Sequence, residues 1–177
     1  MRKAVLGLIV SMAALPVAQA GITPEEIDQA AAAAQPQVVE WRRWFHQNPE
    51  LSNREFNTGV RIAEILREMG LEPQTGIAHT GVIAIIEGGL PGPLVAIRTD
   101  MDALPVVEQT GLPFASTART QYNGQDVGVM HACGHDAHMA MVLGAAKFLN
   151  DMKADLPGSV MLIFQPAEEG GGGGKKR

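Results

Sequence analysis

The stretch SVMLIFQPAEEG at residues 159–170 decides how the chain can fold. Residues 159–164 form a mostly apolar run with the length and composition of a buried strand. The dipeptide Gln165-Pro166 then predicts a turn, because proline cannot continue regular strand pairing. Glu168 and Glu169 therefore follow the end of a strand, which is where α/β folds place their binding groups.

A second informative stretch, HACGHD at residues 131–136, lies upstream and directly precedes a helical pattern over residues 137–152. Further strands are predicted at residues 71–75, 81–87 and 94–98. Their content of Val, Ala and Ile indicates a sheet that is covered on both faces. Because strands and helices alternate, we predict an α/β fold built of packed layers, and we find no internal repeat.

Two helices are predicted before the first strand. Thr23 begins a capping-box pattern that starts the first helix, which we expect to be interrupted near Pro36. Ser52 or Asn53 can cap the second helix. The predicted apolar face of that second helix contains Phe56, Val60, Ala63, Ile65, Leu66 and Met69.

Turns and one long loop separate the remaining elements. Residues 88–89 and 91–93 are glycine- and proline-rich and predict turns between the second and third strands. Residues 101–127 show no sustained hydrophobic period and carry two prolines and two glycines. We therefore predict a long functional loop there.

The first twenty residues are typical of a secretory signal peptide. Arg2 and Lys3 precede the apolar run at residues 4–10, and Ala18-Gln19-Ala20 forms a small-residue cleavage site. The run is much shorter than the roughly 20 residues that span a bilayer, so we expect cleavage and no stable membrane anchor. A periplasmic or secreted protein is predicted.

Charge and length limit the possible partners. The chain has 19 acidic and 14 basic residues and a net charge of −5, so nucleic acid is not an expected partner. Residues 21–170 are long enough for one domain with a core. Residues 171–177 are a glycine-rich, basic segment of the composition found in flexible tails.

The residue types in the two informative stretches predict a metal site. Cys133 is the only cysteine, so it cannot form an intramolecular disulfide, and it lies two residues from both His131 and His135. Thiolate, imidazole and carboxylate bind divalent transition metals, and Glu168 and Glu169 add two carboxylates. An inert buried cysteine, a thiol nucleophile and a solvated acidic loop are the alternatives.

Other polar residues near these stretches have weaker assignments. Asp102 could support a ligand histidine or bind metal itself, and Asp100 could do the same or form a turn. His131 and His138 could reach the site. Asp136 is expected to cap the helix that follows it. His46, which comes before Asn48-Pro49, is expected to be a hydrogen-bonded structural residue.

Four motifs occur in an order that resembles one enzyme family. They are RWFHQNPELS at residues 43–52, RTDMDALP at 98–105, the run at 131–136 with His138, and FQPAEEG at 164–170. Between Pro24 and Gly170 the chain resembles the metal-dependent amidohydrolases that include hippurate hydrolase, N-acyl-L-amino acid amidohydrolase and the indoleacetyl-amino-acid hydrolases. These are relatives of the zinc carboxypeptidases and aminoacylases.

The resemblance implies a zinc-peptidase-like catalytic domain with a mixed sheet. It implies that Cys133, His135 and Glu169 bind metal, and that Glu168 is the catalytic carboxylate. The family site holds two divalent ions, for which manganese, zinc, cobalt and nickel are all suited to such ligands. By the resemblance, the reaction is hydrolysis of the amide bond of N-acyl amino acids or small acylated peptides.

Members of that family continue well past the equivalent of Gly170. Their later sequence supplies two more histidine ligands and an inserted lid and dimerisation domain, and the complete enzyme is expected to be a homodimer or homotetramer. We therefore predict that residues 21–170 are the N-terminal part of the catalytic domain. A non-catalytic metal-binding fragment and a dipeptidase or carboxypeptidase on the same scaffold are the alternative functions.

Overall fold

The computed structural model describes residues 22–170. The predicted signal peptide and the predicted glycine-rich tail lie outside the described residues. Three α-helices lie within these residues: α1 Pro24–Gln47, α2 Phe56–Glu68 and α3 His135–Asp151, and a short 3-10 helix covers Lys153–Asp155. Six strands accompany them: β1 Gln74–Ile77, β2 Gly81–Glu87, β3 Leu90–Asp100, β4 Arg119–Tyr122, β5 Gln125–Gly128 and β6 Pro157–Gln165. Among these helices, none combines the length and the apolar character needed to cross a membrane.

The central sheet has four strands in the order β1-β2-β6-β3. β2 pairs antiparallel with both β1 and β6, whereas β3 and β6 run parallel. The sheet is therefore mixed, as the resemblance implied. Because β3 and β6 are parallel neighbours, with Asp100 opposite Gln165, the segments that follow these two strands leave the same edge of the sheet side by side.

One face of the sheet carries the hydrophobic core. Alternate residues of β2 and β6 point into it, which is the period expected for a strand with one buried face. All three helices contribute to the same core. The largest apolar side chains with almost no exposure are Phe45, Ile62, Ile65, Leu66, Ile86, Met101, Met139, Leu143, Leu162 and Phe164.

The other face of the sheet is open. Ile85 on β2 is 41% exposed, and Leu94 on β3 is 56% exposed. The prediction of a sheet covered on both faces is therefore wrong for residues 22–170, because α1, α2 and α3 all join the core on one side. Runs rich in Val and Ile identify strands, but they do not show whether helices within residues 22–170 cover one face of the sheet or both.

The first helix is continuous, so the predicted interruption at Pro36 is wrong. α1 runs from Pro24 through Pro36 to Gln47, and the predicted capping box at Thr23 is present. Past the proline, α1 packs closely on α3, where an added Cβ at Gly144 would lie 2.7 Å from Val38 Cγ2. We attribute the continuity to this contact between helices, which offsets the hydrogen bond that proline removes.

The second helix starts later than predicted, and its predicted apolar face is confirmed in part: Ala63, Ile65 and Leu66 are buried, and Met69 packs against the core. Glu55 is its N-cap, rather than Ser52 or Asn53. The Glu50 carboxylate accepts hydrogen bonds from the Asn57 and Thr58 backbone N–H groups at 3.2 and 2.8 Å, so a side chain from outside the helix caps it. The buried face contains Thr58, Gly59, Ile62, Ala63, Ile65 and Leu66, whereas Phe56 and Val60 are exposed.

The predicted long loop contains a β-hairpin. β4 and β5 pair antiparallel around Asn123 and Gly124, whose φ angles are +51° and +77°. An Asn-Gly pair is the strongest short-range hairpin signal, so this element could have been predicted. The Pro91-Gly92-Pro93 segment, predicted as a turn, lies within β3, which is an edge strand of the sheet and can tolerate proline.

Candidate metal centre

The three predicted ligands meet where β3, β6 and α3 come together. Cys133 precedes α3, His135 is its first residue, and Glu169 follows β6. One potential ligand atom from each residue lies within 4.8 Å of the others. We call these three residues the donor cluster. The structure brings them together, while their role as ligands stays a prediction.

The start of α3 depends on a glycine. Gly134 is the N-cap and has a φ of +99°, a left-handed conformation that side chains other than glycine rarely adopt. This backbone reversal separates Cys133, which is exposed, from His135, which is buried. The two side chains nevertheless place potential ligand atoms within 4.8 Å of each other.

His135 presents one ring nitrogen to the donor cluster because the other is engaged. Its Nδ1 lies 2.8 Å from the backbone carbonyl oxygen of Asp102. A carbonyl oxygen can only accept, so Nδ1 carries a proton and donates it. When the ring is neutral, the lone pair therefore lies on Nε2. This arrangement is common for histidines that bind metal.

Asp102 also stabilises the protonated form of His135. The Asp102 carboxylate lies 3.5 Å from His135 Nδ1. This side-chain interaction is the main reason that the pKa of His135 is raised to about 9 in the metal-free protein, and it outweighs the effect of burial. A metal ion at Nε2 would have to displace that proton.

The Asp102 carboxylate is buried and has several hydrogen-bond donors. It accepts from Ser52 Oγ at 2.5 Å, from the Glu169 N–H at 3.0 Å and from the Glu168 N–H at 3.2 Å. Burial by itself would raise the pKa of Asp102, but the hydrogen bonds from His135, Ser52 and these two amides outweigh it and lower the pKa. Asp102 therefore connects His135 with both glutamates.

Residues Pro166–Glu169 form a turn that we call the acidic turn. Three consecutive backbone N–H groups of this turn donate to buried carboxylates: Ala167 to Glu55, and Glu168 and Glu169 to Asp102. Ala167 has a φ of +55°, a conformation that costs about 1–3 kcal/mol for a residue other than glycine. The surrounding hydrogen bonds must offset that cost.

Glu55 is a site residue that sequence reasoning missed. It is 0% exposed, and it lies 112 residues before Ala167 in the chain. An acidic residue just ahead of a helix is expected at the surface, where it interacts favourably with the helix N-terminus. No local signal distinguishes Glu55 from such a residue.

The donor set suits a first-row divalent ion. The hydrogen bond from the Cys133 thiol to Glu169, together with smaller effects of burial and nearby carboxylates, raises the pKa of that thiol. Ligand atoms around a tetrahedral zinc ion lie about 3.3–3.8 Å apart, given bonds of about 2.0–2.3 Å. The donor cluster is within a short side-chain adjustment of that spacing.

Asp100 and His138 lie beside the donor cluster rather than in it. Asp100 forms an ion pair with Arg98 at 2.5 Å. His138 is exposed on α3, and its ring centroid lies 5.8 Å from that of His135. Asp100 and His138 both line an open groove next to the site. At the end of β3, Asp100 is therefore paired with Arg98, and its role as a metal ligand or as support for a ligand histidine stays a prediction.

His131 is also outside the donor cluster. It is 4% exposed, and neither ring nitrogen has a hydrogen-bond partner among residues 22–170. Burial is the main cause that lowers the pKa of His131 to about 4, so the ring is neutral at pH 7. Its place in the site stays a prediction.

Asp136 does not cap α3, so that prediction is wrong. Its Oδ2 lies 2.8 Å from both Arg42 Nε and His46 Nδ1, and His46 Nε2 lies 3.0 Å from Glu108 Oε1. We call these four residues the Asp136 cluster. Asp136 lies in the first turn of α3, after the Gly134 N-cap, so its side chain reaches α1 instead of the free amides. His46 is buried and hydrogen-bonded, as predicted.

Together, the mixed sheet and the donor cluster define a zinc-peptidase-like domain. The family model described as peptidase family M20/M25/M40 matches residues 96–177. This match confirms the resemblance seen in the four motifs, and over these residues the chain is similar to that family.

Individual relatives agree with this assignment. The chain is 49% identical to thermostable carboxypeptidase 1 of Saccharolobus solfataricus over 141 residues, which are 78% of the chain and 34% of that protein. It is 46% identical to an N-acetyl-L-cysteine deacetylase of Bacillus subtilis over 140 residues, which are 79% of this chain and 32% of that protein. The chain thus spans about a third of the length of the curated relatives it matches.

A solved structure shows the same fold. The chain matches a Bacillus subtilis protein described as a dinuclear metal binding peptidase from the M20 family, with a TM-score of 0.70 and 46% identity. The match covers 78% of this chain and 37% of that one. The two proteins are therefore similar in sequence as well as in backbone structure.

Proposed function

We propose that this chain is part of an exported, metal-dependent amidohydrolase that cleaves the amide bond of N-acyl amino acids or small acylated peptides. One observation carries the proposal: Cys133, His135 and Glu169 offer three ligand atoms within 4.8 Å of one another, and Glu168 is the adjacent residue. A hydrolytic metal site needs both ligands and a nearby carboxylate that can transfer a proton.

The residues of this chain divide the work between them. His135 offers Nε2 because Asp102 engages Nδ1, and Glu169 offers its carboxylate because its backbone N–H is held by Asp102. Divalent ions, when bound, polarise the substrate carbonyl and make a water a better nucleophile at neutral pH. Glu168 takes the proton of the attacking water and returns it to the leaving nitrogen. No covalent intermediate is needed.

The number and identity of the ions are part of the proposal. The Bacillus subtilis structure described as dinuclear supports two divalent ions in the complete enzyme. Thiolate, imidazole and carboxylate together suit manganese, zinc, cobalt and nickel. Residues 22–170 contribute the donor cluster, and the remaining ligands would come from elsewhere in the complete enzyme.

The substrate class rests on the relatives. The deacetylase relative supports a small N-acyl amino acid as substrate. A carboxypeptidase is the second candidate, because the relative with 49% identity carries that name. Both reactions cleave an amide bond next to a free carboxylate, so they differ in the group on the acyl side and can be separated by substrate choice.

Metal binding is the first test. Titration of the purified chain with Co²⁺ should give a thiolate-to-cobalt charge-transfer band, which Cys133→Ser should abolish. An Asp126→Asn variant, changed in the exposed β4–β5 hairpin, serves as the matched control and should bind like the unchanged protein. If the unchanged chain shows no such band with cobalt, the proposed function fails.

Hydrolysis is the second test. A chimera that joins residues 22–170 to the remaining two thirds of the deacetylase relative should hydrolyse N-acetyl amino acids in the presence of Mn²⁺, Zn²⁺ or Co²⁺. Glu168→Gln in this chimera should lower turnover by about 10²–10⁴-fold and leave cobalt binding unchanged. Faster cleavage of dipeptides than of N-acetyl amino acids would favour the carboxypeptidase. Cobalt binding without turnover would favour the non-catalytic fragment.

Export and assembly belong to the same proposal. The proposal includes cleavage after Ala20 and a periplasmic or secreted location, and amino-terminal sequencing of protein recovered from the exported fraction tests both. It also includes a homodimer or homotetramer of the complete enzyme, which size measurement in solution can test.

A further inference from the structure

We propose that Glu55 is a positioning residue for the acidic turn, Pro166–Glu169. Its buried carboxylate accepts a hydrogen bond from the Ala167 amide and thereby orients Glu168 toward a substrate and Glu169 toward Cys133 and His135. This inference rests on the proposed metal-dependent hydrolysis, and it adds a residue that does not itself touch the metal or the substrate.

The environment of Glu55 is unusual for a carboxylate. Glu55 is 0% exposed, and within residues 22–170 no basic side chain forms an ion pair with it. Oε1 accepts a hydrogen bond from the Ala167 N–H at 2.8 Å, and Oε2 accepts one from Thr80 Oγ1 at 2.7 Å. A buried carboxylate is costly unless it is hydrogen-bonded, so these two donors determine where it lies.

The packing of α2 places this carboxylate. Gly59, one turn after Glu55, touches the segment before β2: an added Cβ would lie 2.7 Å from the Thr80 carbonyl oxygen. The missing side chain lets α2 approach that segment closely, so the Thr80 hydroxyl can reach Glu55. With one oxygen occupied by Thr80, the other faces the end of β6, where Ala167 lies.

The hydrogen bond acts on a strained residue. Ala167 is 1% exposed and has a φ of +55°, which alanine adopts only when its surroundings impose it. Glu168 and Glu169 follow directly, and both side chains are exposed while both backbone N–H groups point inward to Asp102. If Ala167 relaxed to a right-handed conformation, the two carboxylates would rotate away from Cys133 and His135.

Three variants test the proposal in the metal-free chain. Glu55→Ala removes both acceptors, whereas Glu55→Gln keeps one oxygen for the Ala167 N–H and can donate to Thr80. Thr80→Val removes only the second partner and serves if Glu55→Ala does not fold. Glu50→Ala is the matched control, because Glu50 hydrogen-bonds to the first turn of α2 and makes no side-chain hydrogen bond to the acidic turn.

The first readout is amide hydrogen exchange of residues 167–169 without metal. Glu55→Ala should speed the exchange of residues 167–169 by a factor at least about ten times larger than the factor by which it speeds exchange in α2. In Glu55→Gln the exchange rates should stay close to those of the unchanged protein. Glu50→Ala should speed exchange in α2 and leave residues 167–169 protected. Equal protection of residues 167–169 in Glu55→Ala and in the unchanged chain would overturn the proposal, whatever happens with metal.

The second readout is the cobalt titration. Glu55→Ala should weaken Co²⁺ binding by about 10–100-fold, and Thr80→Val, used in its place, should also weaken it. Glu55→Gln should bind Co²⁺ like the unchanged chain, and so should the Glu50→Ala control. Faster exchange with unchanged cobalt affinity would overturn the link between Glu55 and the donor cluster. Absence of the cobalt band in the unchanged chain would instead defeat the proposed function, and the exchange experiment would still decide the role of Glu55 in the turn.

Discussion

His135 and Asp136 are consecutive and both buried, yet they belong to polar clusters of opposite character. His135 belongs to the donor cluster, whose other members, Cys133 and Glu169, are exposed. Asp136 belongs to the Asp136 cluster, where its Oδ2 already contacts Arg42 and His46 at 2.8 Å. The first turn of one helix therefore separates a set of potential ligand atoms from a cluster of side chains that contact one another.

The difference shows how the fold keeps ligand atoms available. In the Asp136 cluster, Asp136 Oδ2 contacts Arg42 and His46 of α1 and so holds α1 against α3, whereas Asp136 Oδ1 has no hydrogen-bond partner among residues 22–170. Beside the donor cluster, the backbone N–H groups of the acidic turn are paired instead, because Asp102 and Glu55 accept hydrogen bonds from them. Cys133 and Glu169 hydrogen-bond to one another, and a metal ion that displaces the thiol proton could use both side chains. Removing a residue should therefore cost stability in one cluster and metal affinity in the other.

The largest effect is expected in the Asp136 cluster. Asp136→Ala leaves Arg42 and the buried His46 without their shared carboxylate, and breaking such a pair costs about 3–5 kcal/mol. Because Arg42 is partly exposed, we expect a loss of about 3 kcal/mol in the free energy of unfolding, measured by urea denaturation.

The exposed pair between Arg119 and Asp126 is the matched control for this change. Asp126→Ala should cost less than about 1 kcal/mol, because exposed ion pairs contribute little. If Asp136→Ala were no more destabilising than Asp126→Ala, the Asp136 cluster would not be a stabilising element. Loss of cobalt binding in Asp136→Ala protein that remains folded would show that the two clusters act as one.

A smaller effect, on metal affinity, is expected for Asp102→Asn. The asparagine side chain keeps one acceptor oxygen, but its NH₂ group would face one of the two N–H groups of the acidic turn. The substitution also removes the negative charge beside His135. Cobalt affinity should fall by about 10–100-fold, measured by titration. Asp100→Asn, which changes the last residue of β3 and its ion pair with Arg98, should change cobalt affinity little. Equal losses in both variants would contradict the role given to Asp102.

The last expected effect is a pH dependence that has opposite signs for stability and for metal affinity. The pKa of His135 is raised from 6.5 to about 9 in the metal-free fold, so its contribution to stability is complete below pH 6.5 and is lost as pH rises through 9. Metal must displace the same proton, so cobalt affinity should rise over that interval.

Thermal unfolding of the metal-free chain and cobalt titration between pH 6.5 and 9 measure the two trends. Asp102→Asn should flatten both, because the hydrogen bond from His135 to the Asp102 side chain is the main cause of the raised pKa. A metal-free stability that did not fall across this interval would contradict the assignment.

Elements that depend on neighbouring residues could be predicted from the sequence. The helix after residue 136, the strand over residues 159–164 and the capping box at Thr23 are all present. Two of the predictions that failed did so for different reasons. α1 continues through Pro36 because it packs on the distant α3, whereas α2 is capped by Glu50, which lies seven and eight residues before the amides of Asn57 and Thr58. Only the β4–β5 hairpin had a local signal that was missed, at Asn123-Gly124.

By itself, the sequence determined the chemical types at the site and their order. A thiol and an imidazole precede a predicted helix, and two carboxylates follow a predicted turn, because helix, turn and strand signals depend on residues close in the chain. Only the tertiary structure decided which of them converge and what holds them. Parallel pairing of β3 with β6 brings Asp102 to the acidic turn, and burial places Glu55 against an amide 112 residues away. Local patterns carry no information about contacts over that distance, since the core that forms them depends on the whole domain.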